Sequence, residues 1–226
     1  MKATKGKGER KTRKVALGVA ASETDGELSR LATENRRLRR QVAQLQTYRA
    51  LAYRDPLTGL WNRRFLDERL KEELSRARRA GADRKFSVMI IDLNWFKELN
   101  DAHGHQAGDA ALTWLGEFLI AHLRAHDVAC RTGGDEFAVL LPDLSSADCA
   151  QVIARLRQSL QHANAQRAVP LDISIGAASF PEVSESAAAL LSVADTAMYA
   201  DKRTRRTVRR SRSFSAAAGE AVLLIA

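Results

Sequence analysis

Cysteine is scarce in this 226-residue chain, and its two residues, Cys130 and Cys149, exclude a disulfide framework and a four-thiolate zinc site. Both have apolar sequence neighbours and read as buried thiols of a reducing compartment, so a cytoplasmic setting is expected. Long hydrophobic runs are also missing. A membrane span needs roughly 18 apolar residues, and runs such as 221–226 are far shorter, so no span is expected. The apolar patch 15–22 follows positive charge as in a signal peptide. It contains Gly18 and is barely hydrophobic, so secretion is not expected. No internal repeat is visible. What is present is a 45% hydrophobic and 28% charged composition, enough for a packed core and at odds with wholesale disorder.

The net charge of +9 hides an uneven division. Residues 1–54 carry 14 basic and 5 acidic side chains, residues 202–226 carry 7 and 1, and residues 55–201 carry 15 and 21. The centre is therefore acidic and only the ends are basic. A nucleic-acid binder built on the fold itself is not expected.

Residues 1–27 read as a basic, disordered arm. From Leu28 a heptad appears, with Leu28, Asn35, Val42 and Arg49 at a, and Leu31, Leu38, Leu45 and Ala52 at d. Residues 28–54 are thus expected to form a coiled-coil stalk. Asn35 at an a position favours a parallel pair, because its amide is satisfied by its twin, and Glu34 at g is placed to meet Arg39 of the second helix. Asp55-Pro56 stops the helix. Beyond it, helices are expected over 62–80, near Phe96 and Leu99, and over 110–122, 147–160 and 187–202. Strands are expected over 86–91, 127–132, 136–141 and 171–179. Gly104 and Gly108 are expected to break the chain, and Gly133-Gly134 to turn a tight hairpin. This alternation implies helices packed on one sheet, an α/β or α+β domain over 55–206. Residues 207–226 read as a basic, disordered tail.

Asp92 ends an apolar strand, and Asp135 and Glu136 follow the glycine hairpin between two more. If the strands are neighbours, three carboxylates meet at one rim. Crowded carboxylates repel unless a cation neutralises them, and Mg²⁺ is held by one or two carboxylates with phosphate oxygens and water. Glycines beside the acids leave room for a ligand against the backbone. A nucleotide–metal site follows from this combination, where a glycine pair alone would mean only a hairpin.

The run Arg131-Thr132-Gly133-Gly134-Asp135-Glu136-Phe137 resembles the signature of the GGDEF family, the diguanylate cyclases. Asp55-Pro56-Leu57-Thr58-Gly59-Leu60 with Asn62-Arg63-Arg64 is similar to the family's opening motif. Asp92-Leu93-Asn94-Trp95-Phe96-Lys97 with Asn100-Asp101 is similar to its DxDxFKxxND segment. Gly104-His105 with Gly108-Asp109, Ser174-Ile175-Gly176, and Ala194-Asp195 with Met198-Tyr199 complete the resemblance in order over about 52–206.

The resemblance implies a mainly antiparallel central sheet flanked by helices, like the palm of nucleotide cyclases and polymerases. It implies condensation of two GTP into cyclic di-GMP with loss of two pyrophosphates, each subunit of a homodimer holding one GTP. Two Mg²⁺ or Mn²⁺ ions per active site would be held by Asp92, Asp135 and the Leu93 carbonyl. Glu136 would bind the guanine edge or assist at the metal. Asn100 and Asp109 would hydrogen-bond guanine, Gly133 and Gly134 would lie against the nucleotide, and Lys97, Lys202 and Arg206 would neutralise the triphosphate. Bacterial signalling in biofilm formation or motility is the family's expected setting. Three positions depart from the pattern: Asn94 replaces a frequent second Asp, and Arg205 and Thr207 stand where the closing segment has Gly and Asn.

Arg124 and Asp127 form an RxxD pair whose spacing from the hairpin matches the family's inhibitory cyclic di-GMP site, with Arg155 as its second arginine. No stretch reads as a sensory or receiver domain, so the input is expected through the stalk, the arm or a partner protein, most economically a regulatory protein gripping the stalk and promoting dimerisation. Two rivals remain open. One is a catalytically silent module that binds GTP or cyclic di-GMP. The other is a DNA-binding zipper protein, which Gly18 and Gly26 disfavour by interrupting any helix from arm to stalk.

Overall fold

The computed structural model describes residues 5–80, 84–183 and 186–223. The chain divides into two units, Met1–Ala52 and Tyr53–Ala226. The first is the body of one long helix, α1 (Lys5–Tyr53). It starts well before Leu28 and passes through Gly18 and Gly26, so the expected interruption there is corrected. A glycine costs a helix only about 1 kcal/mol relative to alanine, and a Cβ at Gly26 would meet nothing within 4 Å. The arm expected to lack regular structure is helical from Lys5; its first four residues lie outside the described set. Leu28, Leu31, Leu38, Val42 and Leu45 are 48% to 66% exposed, so the apolar seam is left uncovered among the described residues. Glu34 pairs with Arg37 of its own helix at 2.8 Å.

The second unit holds β1 (Trp61–Asn62), α2 (Arg63–Ala80), β2 (Phe86–Asn94), α3 (Phe96–His103), α4 (His105–His122), β3 (Val128–Arg131), β4 (Glu136–Pro142), α5 (Ser146–Asn164), β5 (Asp172–Phe180) and α6 (Ala187–Leu223). The five-stranded sheet has the order β1-β3-β4-β2-β5. All pairings are antiparallel except β1 with β3. The α+β reading with a mainly antiparallel sheet therefore holds, and only the two-residue β1 was not anticipated.

Alternation along β2 and β4 sorts side chains to two faces. Met89, Ile91, Leu93, Phe137, Val139 and Leu141 join Leu112, Leu115 and Leu119 of α4 and Val152, Leu156 and Leu160 of α5 in one core. Val88, Ala138 and Leu140 face Leu66 and Leu70 of α2 and Leu190 and Ala194 of α6 in the other. Truncating any of the fully buried leucines would cost about 2–5 kcal/mol. Gly176 is required by the second layer. A Cβ there would run into the Met198 amide and Ala194 carbonyl, so α6 lies directly on β5.

Two further boundaries differ from the sequence reading. Gly104 breaks the chain, with φ 82°, but Gly108 lies inside α4, which begins five residues earlier than expected. Helix α6 continues past Lys202 to Leu223, so the tail is helical over its described part, residues 224–226 lying outside it. Both cysteines are buried, which pushes the Cys130 thiol up to about 12 and the Cys149 thiol to about 11. The reading of both as buried thiols therefore holds.

Candidate active site

The pairing of β2 with β4 sets Asp92 opposite Glu136 on the face covered by α6. The Leu93 amide donates to the Asp135 carbonyl (3.0 Å) and the Thr132 amide to the Glu136 carbonyl (2.9 Å), which closes the hairpin. The three carboxylates thus come from one rim. Gly133 is tight for a reason beyond its turn: a Cβ there would sit 3.3 Å from Glu136 Oε2.

Asp92 is buried, at 5% exposure. Lys202 of α6 places its Nζ 2.7 Å from the carboxylate and hydrogen-bonds Oδ2. The other oxygen, Oδ1, shares the ion pair but receives no hydrogen bond. The ammonium, 2.7 Å from this oxygen too, compensates the buried charge, a place that a bound cation could share. Among the described residues no group of three or more His, Cys, Asp or Glu is gathered as a ready metal cage. That is compatible with Mg²⁺, which takes one or two carboxylates and relies on phosphate and water for the rest. Asp92, the Leu93 carbonyl and the half-buried Asp135 fit that pattern.

Asn100 of α3 lies against α4 at Gly108. Its Oδ1 is buried and unbonded, and Gly108 is what makes room for it, since a Cβ there would collide with Asn100 Oδ1. Asp109, the next residue of α4, is exposed, as are Lys97 and Arg206. Lys97 lies in the first turn of α3, entered through Trp95 in the left-handed region at φ 62°. The Arg206 guanidinium carbon lies 5.9 Å from the Trp95 ring centre.

Asn94 is turned away from metal duty. Its Oδ1 accepts from the Ser174 hydroxyl (2.9 Å) and its Nδ2 donates to Asp172 (2.8 Å). Arg205, one residue before Arg206, pairs with Asp172 at 2.6 Å and Asp201 at 3.0 Å. Beside these groups an open groove of about 820 Å³ runs past Trp95, Leu160 and Ile173. It does not include Asn100, Asp109 or the hairpin.

Arg131 is the residue that sequence reasoning quoted but gave no role. Its Nε and Nη2 donate to the Gly134 carbonyl (3.1 and 2.8 Å), and its Nη1 donates to both oxygens of Asp55 (3.2 and 3.3 Å). Asp55 also accepts from the Thr58 amide (2.8 Å) and hydroxyl (2.7 Å). Burial works against its charged form and is the largest single influence. The Thr58 donors and the Arg131 guanidinium together outweigh it and hold the carboxyl below its ordinary range. The opening motif and the glycine hairpin are therefore tied to each other, a pairing across 76 residues that spacing does not reveal.

At the far end of α4, the Asp127 carboxylate accepts from the Arg124 amide at 2.8 Å, while its Oδ1 is buried and unbonded. Arg155 of α5 donates to the His122 carbonyl at 2.9 Å, two residues before Arg124. The three residues of the expected inhibitory site are thus neighbours, with both guanidinium-bearing residues exposed.

The sequence matches the family described as "Diguanylate cyclase, GGDEF domain" over residues 52–208. It is 41% identical over 165 residues to the diguanylate cyclase TpbB of Pseudomonas aeruginosa, covering 70% of this chain and 37% of that protein. The structure is similar to that of the diguanylate cyclase SiaD in complex with its activator SiaC from the same species. That match has TM-score 0.70 and 29% identity, over 88% of this chain and 76% of the other. It is also similar to the coiled coil and GGDEF domain of DgcB from Caulobacter crescentus in complex with c-di-GMP. Here the TM-score is 0.68 and identity 27%, over 78% of this chain and 94% of the other. The chain spans 26% to 37% of the length of the first curated relatives it matches.

Proposed function

Because this chain belongs to the GGDEF family of diguanylate cyclases, we propose that it condenses two GTP into cyclic di-GMP, releasing two pyrophosphates. The observation that carries the reading is the rim itself: Asp92, Asp135 and Glu136 on adjoining strand ends, with the Lys202 ammonium against the buried Asp92 carboxylate.

Each subunit of a homodimer holds one GTP. Asn100 and Asp109 read guanine; Asp109 accepts from the N1–H and N2–H₂ edge that adenine lacks, and a mispaired buried polar group discriminates strongly. Lys97, Lys202 and Arg206 take the triphosphate charge. Glu136 serves the guanine edge or the metal side. The 3′-oxygen of one GTP attacks the α-phosphorus of the other, the bond to pyrophosphate breaks, and the 3′-hydroxyl proton passes to solvent. The second bond closes the ring in the same way. Asp92, Asp135 and the Leu93 carbonyl would hold a divalent cation, Mg²⁺ or Mn²⁺, which would supply acidification of the 3′-hydroxyl and offset charge on pyrophosphate.

The exposed leucines and Val42 of α1 support the homodimer, since an apolar heptad seam left in water is stabilised by a second helix. Residues 28–54 act as its stalk and 55–206 as the catalytic domain. The stalk is also the surface on which a regulatory protein would act, as an activator is seen with the related SiaD. Arg124, Asp127 and Arg155 form the inhibitory site for the product. Among the described residues no helix is long and apolar enough to cross a membrane.

The test is chromatography of GTP incubated with purified protein and Mg²⁺. Cyclic di-GMP and pyrophosphate in a one-to-two ratio are expected. GTP bound but unconsumed would replace this reading with the silent binding module.

A further inference from the structure

Arg205 breaks the family pattern, and the structure shows what surrounds it. Asp201, one turn earlier on α6, concentrates donors on a single oxygen. Its Oδ2 accepts from the Ile175 amide of β5 (3.0 Å), from Arg157 of α5 (2.8 Å) and from Arg205 Nε (3.0 Å). Arg205 Nη1 then reaches Asp172 at the start of β5 (2.6 Å). Asp172 in turn accepts from Asn94 of β2 (2.8 Å), and Asn94 accepts from Ser174. One chain of contacts therefore joins β2, β5, α6 and α5. It passes through Asn94, two residues beyond Asp92 on the same face, and through Arg205, between Lys202 and Arg206.

This placement matters because α6 reaches the rim by Lys202 and Arg206, both on its outgoing turns. A helix held on a sheet mainly by Gly176 and apolar contacts can slide or roll; a planar guanidinium gripping two carboxylates on different elements fixes its register. We infer that Arg205, with Asp172, Asp201 and Asn94, is a positioning device that sets Lys202 and Arg206 for the triphosphate. The inference builds on the proposed GTP reading of the rim.

The same contacts explain why Asn94 and Arg205 depart from the pattern together. A carboxylate at position 94 would stand at hydrogen-bond distance from Asp172, and two charged oxygens that close repel. The amide avoids this and leaves Asp172 free to bind Arg205. Asn94 is thus committed to the anchor and not to a metal.

Binding of GTP and of guanosine to the full chain, with Mg²⁺, separates this from its competitors. Asp172→Asn removes a negative charge, so electrostatics alone would tighten GTP. Loss of positioning should instead weaken GTP by about tenfold, the scale of one lost charge-assisted hydrogen bond. Guanosine, which has no phosphate, should bind as in the wild type. Asn94→Asp should weaken GTP similarly, and Asp172→Asn added to it should restore most of the loss, a sign reversal that only contacting residues give. Equal or tighter GTP binding by Asp172→Asn would overturn the inference, as would a parallel loss of guanosine or an Asn94→Asp protein that binds GTP normally. A wild-type protein that bound guanosine but no GTP would overturn the reading of the rim, and this inference with it.

Discussion

Arg131→Met offers a quantitative test of how the glycine hairpin is held. The substitution keeps the aliphatic stem and deletes the guanidinium. It removes two donors, Nε and Nη2, from the Gly134 carbonyl and one, Nη1, shared by the two oxygens of Asp55. Arg131 and Asp55 are 15% and 16% exposed, so solvent screens them little. A charged hydrogen bond contributes about 1.5–3 kcal/mol. The contacts share one guanidinium and are not additive, and Asp55 keeps both Thr58 donors, so the net loss should be about 3 kcal/mol. At about 2–4 °C per kcal/mol for a domain of this size, Tm should fall by about 6–12 °C. Turnover of GTP should fall by tenfold or more, because the hairpin carrying Asp135 and Glu136 loses its tether. Arg131→Lys should not rescue either quantity, since one ammonium cannot span both acceptors. The pH dependence has a definite sign. The Asp55 carboxyl lies below its ordinary value. Its stabilisation is therefore complete above the unfolded value of about 3.9 and is lost as pH falls through the folded one. The Tm gap between wild type and Arg131→Met should accordingly be full at pH 7 and shrink below about pH 4. A gap under about 1 °C at pH 7, by calorimetry, would refute the tether outright, being far under the shift that one charged hydrogen bond implies.

Three further outcomes are expected. Asp135→Ala and Asp92→Asn should each abolish cyclic di-GMP formation in the chromatographic assay; more than a few per cent of residual rate in Asp135→Ala (a threshold set by the need for carboxylate at a hard cation) would remove Asp135 from the metal site. Deleting residues 1–50, or changing Leu38 and Leu45 to Ser, should weaken dimerisation and lower specific activity most at low protein concentration, since the stalk raises one subunit's effective concentration near the other. Sedimentation and dilution series check this, and full activity independent of concentration in the truncated protein contradicts it. Arg124→Ala should leave initial turnover nearly intact but remove the slowing as product accumulates; progress curves of equal curvature in both proteins would reduce Arg124 and Asp127 to a helix-end turn.

The rim was legible in the sequence because its chemistry is local. Asp92 follows an apolar run that can only be a buried strand, and Asp135 and Glu136 follow two glycines. Strand pairing then had few ways to arrange them, and Asp92 does face Glu136. Helix ends were less legible. Gly18, Gly26 and Gly108 were read as breaks, yet each lies within a helix. The penalty of a glycine is about 1 kcal/mol, small beside what flanking helix formers or a close contact can offset. At Gly108 that contact is identifiable: the glycine admits the Asn100 side chain, so the residue that looked like a breaker is a packing requirement of that asparagine.

Arg131 and Arg205 mark a different limit. Both stood in the motifs, one as an unremarked flanking residue and one as a departure, but their partners lie 76 and 33 residues away. Periodicity and spacing carry information only along an element; an ion pair across elements depends on which strands adjoin. Once β5 is known to be the strand beyond β2, Asp172 is forced next to Asn94 by register. An acidic side chain at that edge then needs a cation from the helix lying over it. Lys202 is already engaged with Asp92, and Arg206 is exposed on the side of Trp95. Arg203 of the same turn is exposed as well, and Arg205, half-buried, is the one that pairs with Asp172. Its replacement of the family glycine is therefore the counterpart of Asp172 and Asn94, and the three residues should be judged as one unit.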